Sequence, residues 1–323
     1  MIKVAVFLYL LFLMMKCSAL RTSLVVLIGL VAASCSVNPY AATNRAYKKQ
    51  AKAYARTLWA EPNPGPGDAA YLQGDYWVGA TNFNMRKPNY VIIHHTAQNS
   101  TAQTLKTFTT PATQVSAHYV IGRDGKVYHM LNDYLRAWHG GNSRWGNNTD
   151  INSSSIGIEL DNNGAEPFAD AQLSSLLGVL EMLKKKHNIP TANFIGHSDI
   201  APSRKVDPNP TFPWKQLADK GYGLWYDADA LDSVVVAKVY TDSAAVADST
   251  LLQPEILEFE LVPLHQIPDN FSPEDALRII GYDISNMDAA IKAFKLHFIQ
   301  TEVNAVLTDK DKQILYNLYL KYR

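Results

Sequence analysis

The segment Tyr90-Val-Ile-Ile-His-His95 is a short apolar run that ends in two adjacent histidines. A run of this length, rich in β-branched residues, is typical of a buried strand. Successive side chains of a strand face opposite ways, so His94 and His95 cannot both enter one pocket. A histidine at the end of such a strand usually makes an ordinary hydrogen bond, but it can also serve in a functional site.

Strands and helices alternate around this segment. An Asp-Gly pair at 124–125 favours a hairpin between two predicted strands. A helix is predicted over 171–187, where leucines recur on one face and Asp170 is placed as the cap. The predicted strands lie at 90–93, 116–121, 126–130, 155–160 and 193–195. This alternation predicts an α/β fold in which one sheet is covered by helices.

A second histidine follows the last of these strands. His197 lies in the segment Gly196-His-Ser-Asp-Ile-Ala-Pro-Ser-Arg-Lys-Val-Asp-Pro208. Zinc in catalytic sites is commonly held by two imidazoles and one anionic group, with a fourth position left for water. Either Asp199 or Asp207 could supply the anionic group. Because His94 and His197 are far apart in the sequence, their spacing alone is weak evidence for a shared metal.

Several ordered strings resemble the type-2 N-acetylmuramoyl-L-alanine amidases. They are Ile93-His-His-Thr-Ala97, Ala137-Trp-His-Gly140, Ser155-Ile-Gly-Ile-Glu159, the segment from His197 to Pro208, and Phe212-Pro-Trp214. The resemblance covers roughly residues 90–227. It implies a central mixed β-sheet flanked by helices, with a zinc ion (Zn²⁺) at one end of the sheet.

The resemblance also implies a role for each matching residue. The zinc ligands would be His94, His197 and Asp207, the acid/base would be Glu159, and Lys205 would stand beside the reacting carbonyl. A zinc site with one carboxylate keeps a net positive charge, which lowers the pKa of bound water to about 7. Glu159 could then move a proton from water to the departing amine, and Lys205 could stabilise the oxyanion.

Other polar residues of these strings have less definite roles. Asp199 would be a local loop cap, and His95 is not expected to be a ligand. Trp138 and His139 are expected to line the substrate groove, where an aromatic face can stack on a sugar. A packed tryptophan is the alternative for Trp138, and His118 is expected to be structural.

The implied reaction is hydrolysis of the amide between N-acetylmuramic acid and L-alanine in peptidoglycan or muropeptides. Two other functions are compatible with the same fold or metal site. One is a non-catalytic peptidoglycan recognition protein, many of which have lost a zinc ligand, and the other is a zinc peptidase that cuts within the stem peptide. The presence of all five matching catalytic and metal-ligand residues favours the amidase.

The composition adds little to the functional assignment. The chain has 323 residues, 47% of them hydrophobic, with 30 basic and 30 acidic residues. This balance creates no overall field that would attract nucleic acid, so no nucleic-acid partner is expected. Both cysteines lie in the first 35 residues.

The N-terminal residues 1–35 resemble a secretory signal peptide that ends in a lipobox. Basic Lys16 and Arg21 precede the apolar stretch 24–31, and Ala32-Ala-Ser34 leads directly into Cys35. Acylation of Cys35 would anchor the protein to a membrane. Ser36 is compatible with delivery to the outer membrane, where the protein would face the periplasm. The alternative, a transmembrane helix, needs about 20 apolar residues.

The rest of the chain is predicted to contain three parts. Residues 36–226 form the amidase domain, with its core at 90–226, and residues 227–270 form a linker without strong periodicity. Residues 271–323 form a small three-helix domain that starts at Ser272-Pro-Glu-Asp275. This domain resembles a peptidoglycan-binding module through Gly281-Tyr-Asp-Ile284 and the stretch 289–294. The alternative is a helical cap packed on the amidase domain.

Overall fold

The computed structural model describes residues 38–60, 79–240, 256–263 and 265–323. The predicted signal peptide and its lipidation residue Cys35 lie outside these ranges. Within them, no helix has both the length and the apolar character needed to cross a membrane. The chain divides into two units, Met1–Asn82 and Phe83–Arg323. The described part of the first unit contains helix α1 (Ala41–Trp59), which has no buried residue.

A five-stranded sheet forms the centre of the second unit. Its strands, in sequence order, are β1 (Tyr90–His95), β2 (Tyr119–Ile121), β3 (Val127–His129), β4 (Ser155–Leu160) and β5 (Phe194–Gly196). The spatial order is β3-β2-β4-β1-β5, with β2 and β3 antiparallel and the other neighbours parallel. The predicted central mixed sheet is therefore confirmed.

Helices surround this sheet. Those of the second unit that precede residue 227 are α2 (Thr101–Phe108), α3 (Ile151–Ser154), α4 (Asp170–His187), α5 (His197–Ile200) and α6 (Trp214–Ala218). Short 3₁₀ turns lie at Pro111–Thr113, Thr191–Asn193 and Ala228–Leu231. The helices α2 and α3 lead into strands of the sheet, and α5 starts directly after β5.

Helix α4 covers one face of the sheet. Its residues Leu176, Leu180 and Leu183 are fully buried in a core that also contains Val91 and Ile93 of β1. The predicted leucine stripe is therefore confirmed. The prediction that Asp170 caps the helix is wrong, because Ala169 is the N-cap and makes no side-chain capping bond. Asp170 lies instead in the first turn, where a carboxylate interacts favourably with the helix dipole.

The opposite face of the sheet is covered by the C-terminal helices α7 (Pro273–Ile280), α8 (Met287–Phe298) and α9 (Asp309–Tyr322). Their buried residues include Leu277, Phe294 and Leu315, which share a core with Ile92 of β1 and Ile195 of β5. Ser272 caps α7 through a bond from the Asp275 N–H, as its position in the sequence predicts. These contacts assign the helices a packing role, while their peptidoglycan-binding role stays a prediction.

The predicted linker, 227–270, contains two paired strands. They are β6 (Ser233–Tyr240) and β7 (Ile256–Pro263), which form an antiparallel ladder. Val235, Phe259 and Leu261 of this ladder are each more than 60% exposed. Regular structure therefore occurs where the sequence analysis expected none.

The parallel strands end together at one edge of the sheet. In the register of β1 and β4, Ile92 lies opposite Gly157 and His94 lies opposite Glu159. These four residues therefore share one face of the sheet. The C-terminal helices cover this same face at Ile92. His197 follows β5 at the same edge. The carboxyl edge of parallel strands is where sheets of this kind usually place their sites.

Candidate metal centre and active site

Three side chains converge at this edge of the sheet. His94 ends β1, His197 starts α5, and Asp207 lies in the loop that follows. The two histidine Nδ1 atoms are 2.9 Å apart, and Asp207 Oδ2 lies 3.2 Å from His94 Nδ1 and 3.1 Å from His197 Nδ1. All three residues are buried. The loop is closed by the Ser198 N–H, which donates to the Asp207 carbonyl at 2.8 Å.

This donor set fits a divalent metal ion. The three ligand atoms lie within 4.8 Å of one another. Zinc bonds of about 2.0–2.2 Å place tetrahedral ligand atoms roughly 3.3–3.6 Å apart, a few tenths of an ångström more than the observed separations. The structure therefore brings together the three predicted ligands and leaves the alternative, Asp199, outside the cluster.

The protonation states of these residues also suit metal binding. Burial and the neighbouring His197 lower the pKa of His94 to about 4, so its imidazole is neutral at pH 7. Burial disfavours the ionised form of Asp207. Hydrogen bonds with His197 and His94 outweigh that burial and hold the pKa of the carboxyl well below its usual range. A neutral imidazole and an ionised carboxylate are the forms that bind a metal.

Glu159 stands beside this cluster with a different protonation state. Its side chain is buried, and Oε2 has no hydrogen-bond partner among the described residues. Burial and the Asp207 carboxylate raise the pKa of Glu159 to about 8, although the nearby Lys205 acts to lower it. A carboxyl group whose pKa lies near neutrality is suited to acid/base chemistry.

A cleft of about 410 Å³ opens above these residues. Lys205, which is half-buried, lines it together with Glu159 and the three clustered residues. Trp138 lies in the wall of the cleft with 51% of its surface exposed. Both residues are therefore located where the predicted contacts with substrate require, and those contacts stay predictions.

His139 borders the same cleft but is only 8% exposed. Its Nδ1 lies 3.0 Å from His94 Nε2, and its Nε2 lies 3.1 Å from Ser155 Oγ. Burial, with the neighbouring His94, holds the pKa of His139 well below its usual range. Both ring nitrogens are thus engaged by protein groups, a feature that the expected groove role did not include.

His95 and His118 lie outside the cluster. His95 faces away from His94, as alternation along the strand predicts, and its Nδ1 accepts a hydrogen bond from the Asn209 N–H at 3.0 Å. His118 Nδ1 accepts from the Gly157 N–H at 3.0 Å, and its Nε2 lies 3.0 Å from the Leu135 carbonyl. These backbone bonds agree with a structural role for His118.

Asp199 has contacts that the sequence analysis missed. It caps its own loop, as predicted, by accepting from the Gly196 N–H at 2.7 Å. It also accepts from the Tyr282 hydroxyl and lies next to His297 Nδ1, each at 2.8 Å. All three side chains are buried. Asp199 therefore connects α5, which starts at His197, to the C-terminal helices.

Comparison with known proteins agrees with this arrangement. The model of a family described as N-acetylmuramoyl-L-alanine amidase matches residues 84–210. The amidase AmiD of Escherichia coli K12 is 30% identical over an alignment of 248 residues, which covers 72% of this chain and 82% of AmiD. The chain therefore belongs to the N-acetylmuramoyl-L-alanine amidase family, and the resemblance seen in the sequence motifs is confirmed.

Solved structures and a further curated relative show the same similarity. The solved complex of E. coli AmiD with the substrate anhydro-N-acetylmuramic acid-L-Ala-D-γ-Glu-L-Lys has a TM-score of 0.58 at 27% identity. It covers 76% of this chain and 93% of that one. AmpDH3 of Pseudomonas aeruginosa has the same TM-score at 23% identity, which is a likeness of fold. A 1,6-anhydro-N-acetylmuramyl-L-alanine amidase, AmpD of Enterobacter cloacae, is 41% identical over 32% of this chain and 55% of its own.

The cluster of His94, His197 and Asp207 predicts opposite results for substitution of two histidines. His197→Ala removes one of three ligand atoms, so we expect it to retain little zinc after dialysis. His95→Ala changes a histidine that follows directly after the ligand His94 but faces away from the cluster, so zinc content should stay near one ion per chain. Elemental analysis of both purified variants measures this. Wild-type zinc content in His197→Ala would contradict the assignment.

The raised pKa of Glu159 predicts how the stability of the metal-free protein depends on pH. The folded state holds this proton up to a pKa of about 8, whereas an unfolded glutamate loses it near 4.3. Stability should therefore fall as pH rises through that window. Glu159→Gln removes this titrating group. The free energy of unfolding of the variant, relative to that of the wild type, should therefore rise by a few kcal/mol between about pH 5 and about pH 8.

Urea unfolding of both proteins in the presence of a chelator measures this difference at each pH. The wild type serves as the reference because glutamine keeps nearly the same shape and volume as protonated glutamate. A difference that stayed constant with pH would show that Glu159 is already ionised in the metal-free protein at pH 5.

Proposed function

We propose that this protein hydrolyses the amide bond between N-acetylmuramic acid and L-alanine in peptidoglycan or muropeptides, with zinc held by His94, His197 and Asp207. The observation that carries the proposal is the convergence of these ligand atoms beside the buried carboxyl of Glu159, whose Oε2 has no hydrogen-bond partner within the described ranges. Membership of the amidase family supports the same conclusion.

The metal, when bound, supplies a Lewis acid that lowers the pKa of water to about 7. Glu159 shares a sheet face with His94 and is positioned to accept the proton of the attacking water. The positive charge of a bound metal would lower the pKa of this carboxyl from about 8. Glu159 could then act as a base near neutral pH. Glu159 then returns the proton to the amine of L-alanine as the amide bond breaks.

Two other residues of the cleft contribute to the reaction in this proposal. The ammonium group of Lys205 lowers the energy of the oxyanion that forms on the lactyl carbonyl. Its place in the cleft and its electrostatic effect on Glu159 support this role. Trp138 presents an exposed ring to the cleft, where it can stack on the sugar.

The substrate class rests on the cleft and on the relatives. The AmiD complex contains an anhydro-muropeptide, which supports a muropeptide as the substrate in this proposal. A non-catalytic recognition protein would need neither an acid/base nor a complete set of metal ligands. Here both are present around one cleft, which favours catalysis.

Glu159→Gln tests the catalytic assignment. Because glutamine cannot accept the proton, we expect release of peptide from a muropeptide to fall by about 10²–10⁴-fold, while zinc content stays unchanged. Mass spectrometry of the products, with zinc analysis of the same samples, measures both quantities. A wild-type protein that bound muropeptide without releasing peptide would support the recognition function instead. Products cut within the stem peptide would identify a peptidase.

We also propose that the mature protein is lipid-anchored in the cell envelope, on the periplasmic side of the outer membrane. The support comes from the basic, apolar and small-residue segments that precede Cys35, and from Ser36. A lipid anchor on Cys35 would hold the enzyme next to its peptidoglycan substrate without a spanning helix.

Cys35→Ser tests this anchor in cells that process bacterial lipoproteins. The substitution removes the acylated thiol, so the protein should lose incorporation of labelled palmitate and leave the membrane fraction. Cys17→Ser is the matched control, because this cysteine precedes the predicted cleavage site. Membrane association of Cys35→Ser at the wild-type level would contradict the proposal.

A further inference from the structure

The outer nitrogen of His94 makes a specific contact. When the Nδ1 lone pair of a neutral imidazole faces a metal, the one N–H proton of the ring lies on Nε2. His94 Nε2 is 3.0 Å from His139 Nδ1, so His94 Nε2–H donates a hydrogen bond that His139 Nδ1 accepts. The two rings meet edge to face, with an interplanar angle of 85°.

The same reasoning fixes the next hydrogen bonds. With its Nδ1 accepting, neutral His139 carries its proton on Nε2, which lies 3.1 Å from Ser155 Oγ. The Ser155 hydroxyl in turn donates to the Ile151 carbonyl at 2.6 Å. Each donor in this buried chain has one acceptor, and the direction of every bond follows from the ligand role of His94.

The neighbouring residue serves the second histidine ligand. His197 Nε2 lies 3.2 Å from the Gly140 carbonyl, which can accept its proton. Two consecutive residues, His139 and Gly140, therefore contact the outer nitrogens of both imidazole ligands. Contacts of this kind orient metal ligands in many sites.

This dipeptide is itself held in place. The buried side chain of Asn152 accepts through Oδ1 from the His139 N–H at 3.1 Å and from the Gly140 N–H at 2.8 Å. Arg204 donates from Nη2 to the Gly140 carbonyl at 2.7 Å and to the Asn142 carbonyl at 2.8 Å. The position of the backbone is thus set from two sides.

The strand beneath His139 provides space for its ring. Gly157 of β4 lies on the same sheet face as His94 and Glu159. A Cβ atom at this position would lie 2.4 Å from the His139 ring, closer than any real contact of this kind. A glycine between Ser155 and Glu159 therefore lets the imidazole lie against the sheet.

We propose that His139 is a positioning residue that fixes the tautomer and orientation of the metal ligand His94, with the Gly140 carbonyl acting in the same way on His197. This inference rests on the proposed zinc site. A neutral imidazole in this place, where many proteins use a carboxylate, adds no negative charge near the metal. The site thereby keeps the positive charge that makes bound water acidic.

Zinc affinity of three variants tests the proposal. His139→Phe keeps an aromatic ring but removes the acceptor, so zinc should bind about 10–100-fold more weakly. His139→Asn places an amide oxygen near the position of Nδ1 and should recover most of that loss. Competition between each metal-free protein and a chelating dye measures the affinities.

His118→Phe is the matched control for burial and location. His118 is fully buried, and its ring lies 5.9 Å from that of His139. Its ring nitrogens contact backbone groups and the Arg86 side chain rather than a proposed metal ligand. This variant should therefore lower the unfolding midpoint of the metal-free protein and leave zinc affinity within a few-fold of wild type. Loss of affinity that merely followed loss of stability in all variants would overturn the proposal.

The tautomer can also be observed without any substitution. In zinc-loaded wild-type protein labelled with ¹⁵N-histidine, NMR should show His139 protonated on Nε2 and unprotonated on Nδ1. A proton on His139 Nδ1, or wild-type zinc affinity in His139→Phe, would refute the positioning role. A wild-type protein that bound no zinc would instead refute the metal site itself.

Discussion

The pairing of β1 with β4 in parallel register is the constraint on which the site depends. It sets His94 opposite Glu159, so the proposed metal ligand and the proposed acid/base residue share one face at one edge of the sheet. The parallel pairing of β1 with β5 then brings the start of α5, and with it His197, to the same edge. Because side chains alternate along a strand, a slip of one residue in β1 would replace His94 by His95.

Two carboxyl groups at the candidate metal centre have pKa values shifted in opposite directions. Asp207 contacts two imidazoles that stabilise its negative charge, whereas Glu159 is buried without a partner among the described residues and faces the charge of Asp207. Separation of pKa values by environment is how a protein assigns different tasks to chemically similar groups. These states suit the roles proposed for the two residues, an ionised ligand at 207 and a proton-transfer group at 159.

Much of this arrangement could be predicted from the sequence, for identifiable reasons. The alternation of strand side chains separated His94 from His95, and the leucine spacing of α4 located its buried face. The hairpin of β6 and β7 was missed, although the valines at 234–236 are β-branched residues typical of strands. The buried environment of His139 and the partners of Asp199 could not be predicted, because each depends on residues that only folding brings close.

The contacts of Asp199 bear on how this enzyme can be divided or recombined. Sequence similarity to the family model stops at residue 210, which suggests a natural boundary for excising a minimal catalyst. Yet Tyr282 and His297, which supply polar contacts to this buried carboxylate, lie well beyond that boundary. A shortened chain would remove two of the three polar contacts of Asp199, a side chain only two residues from His197. The C-terminal helices share a core with the sheet and contact the segment that follows His197. An experiment that transfers the site to another protein should therefore transfer residues 83–323 as one cassette.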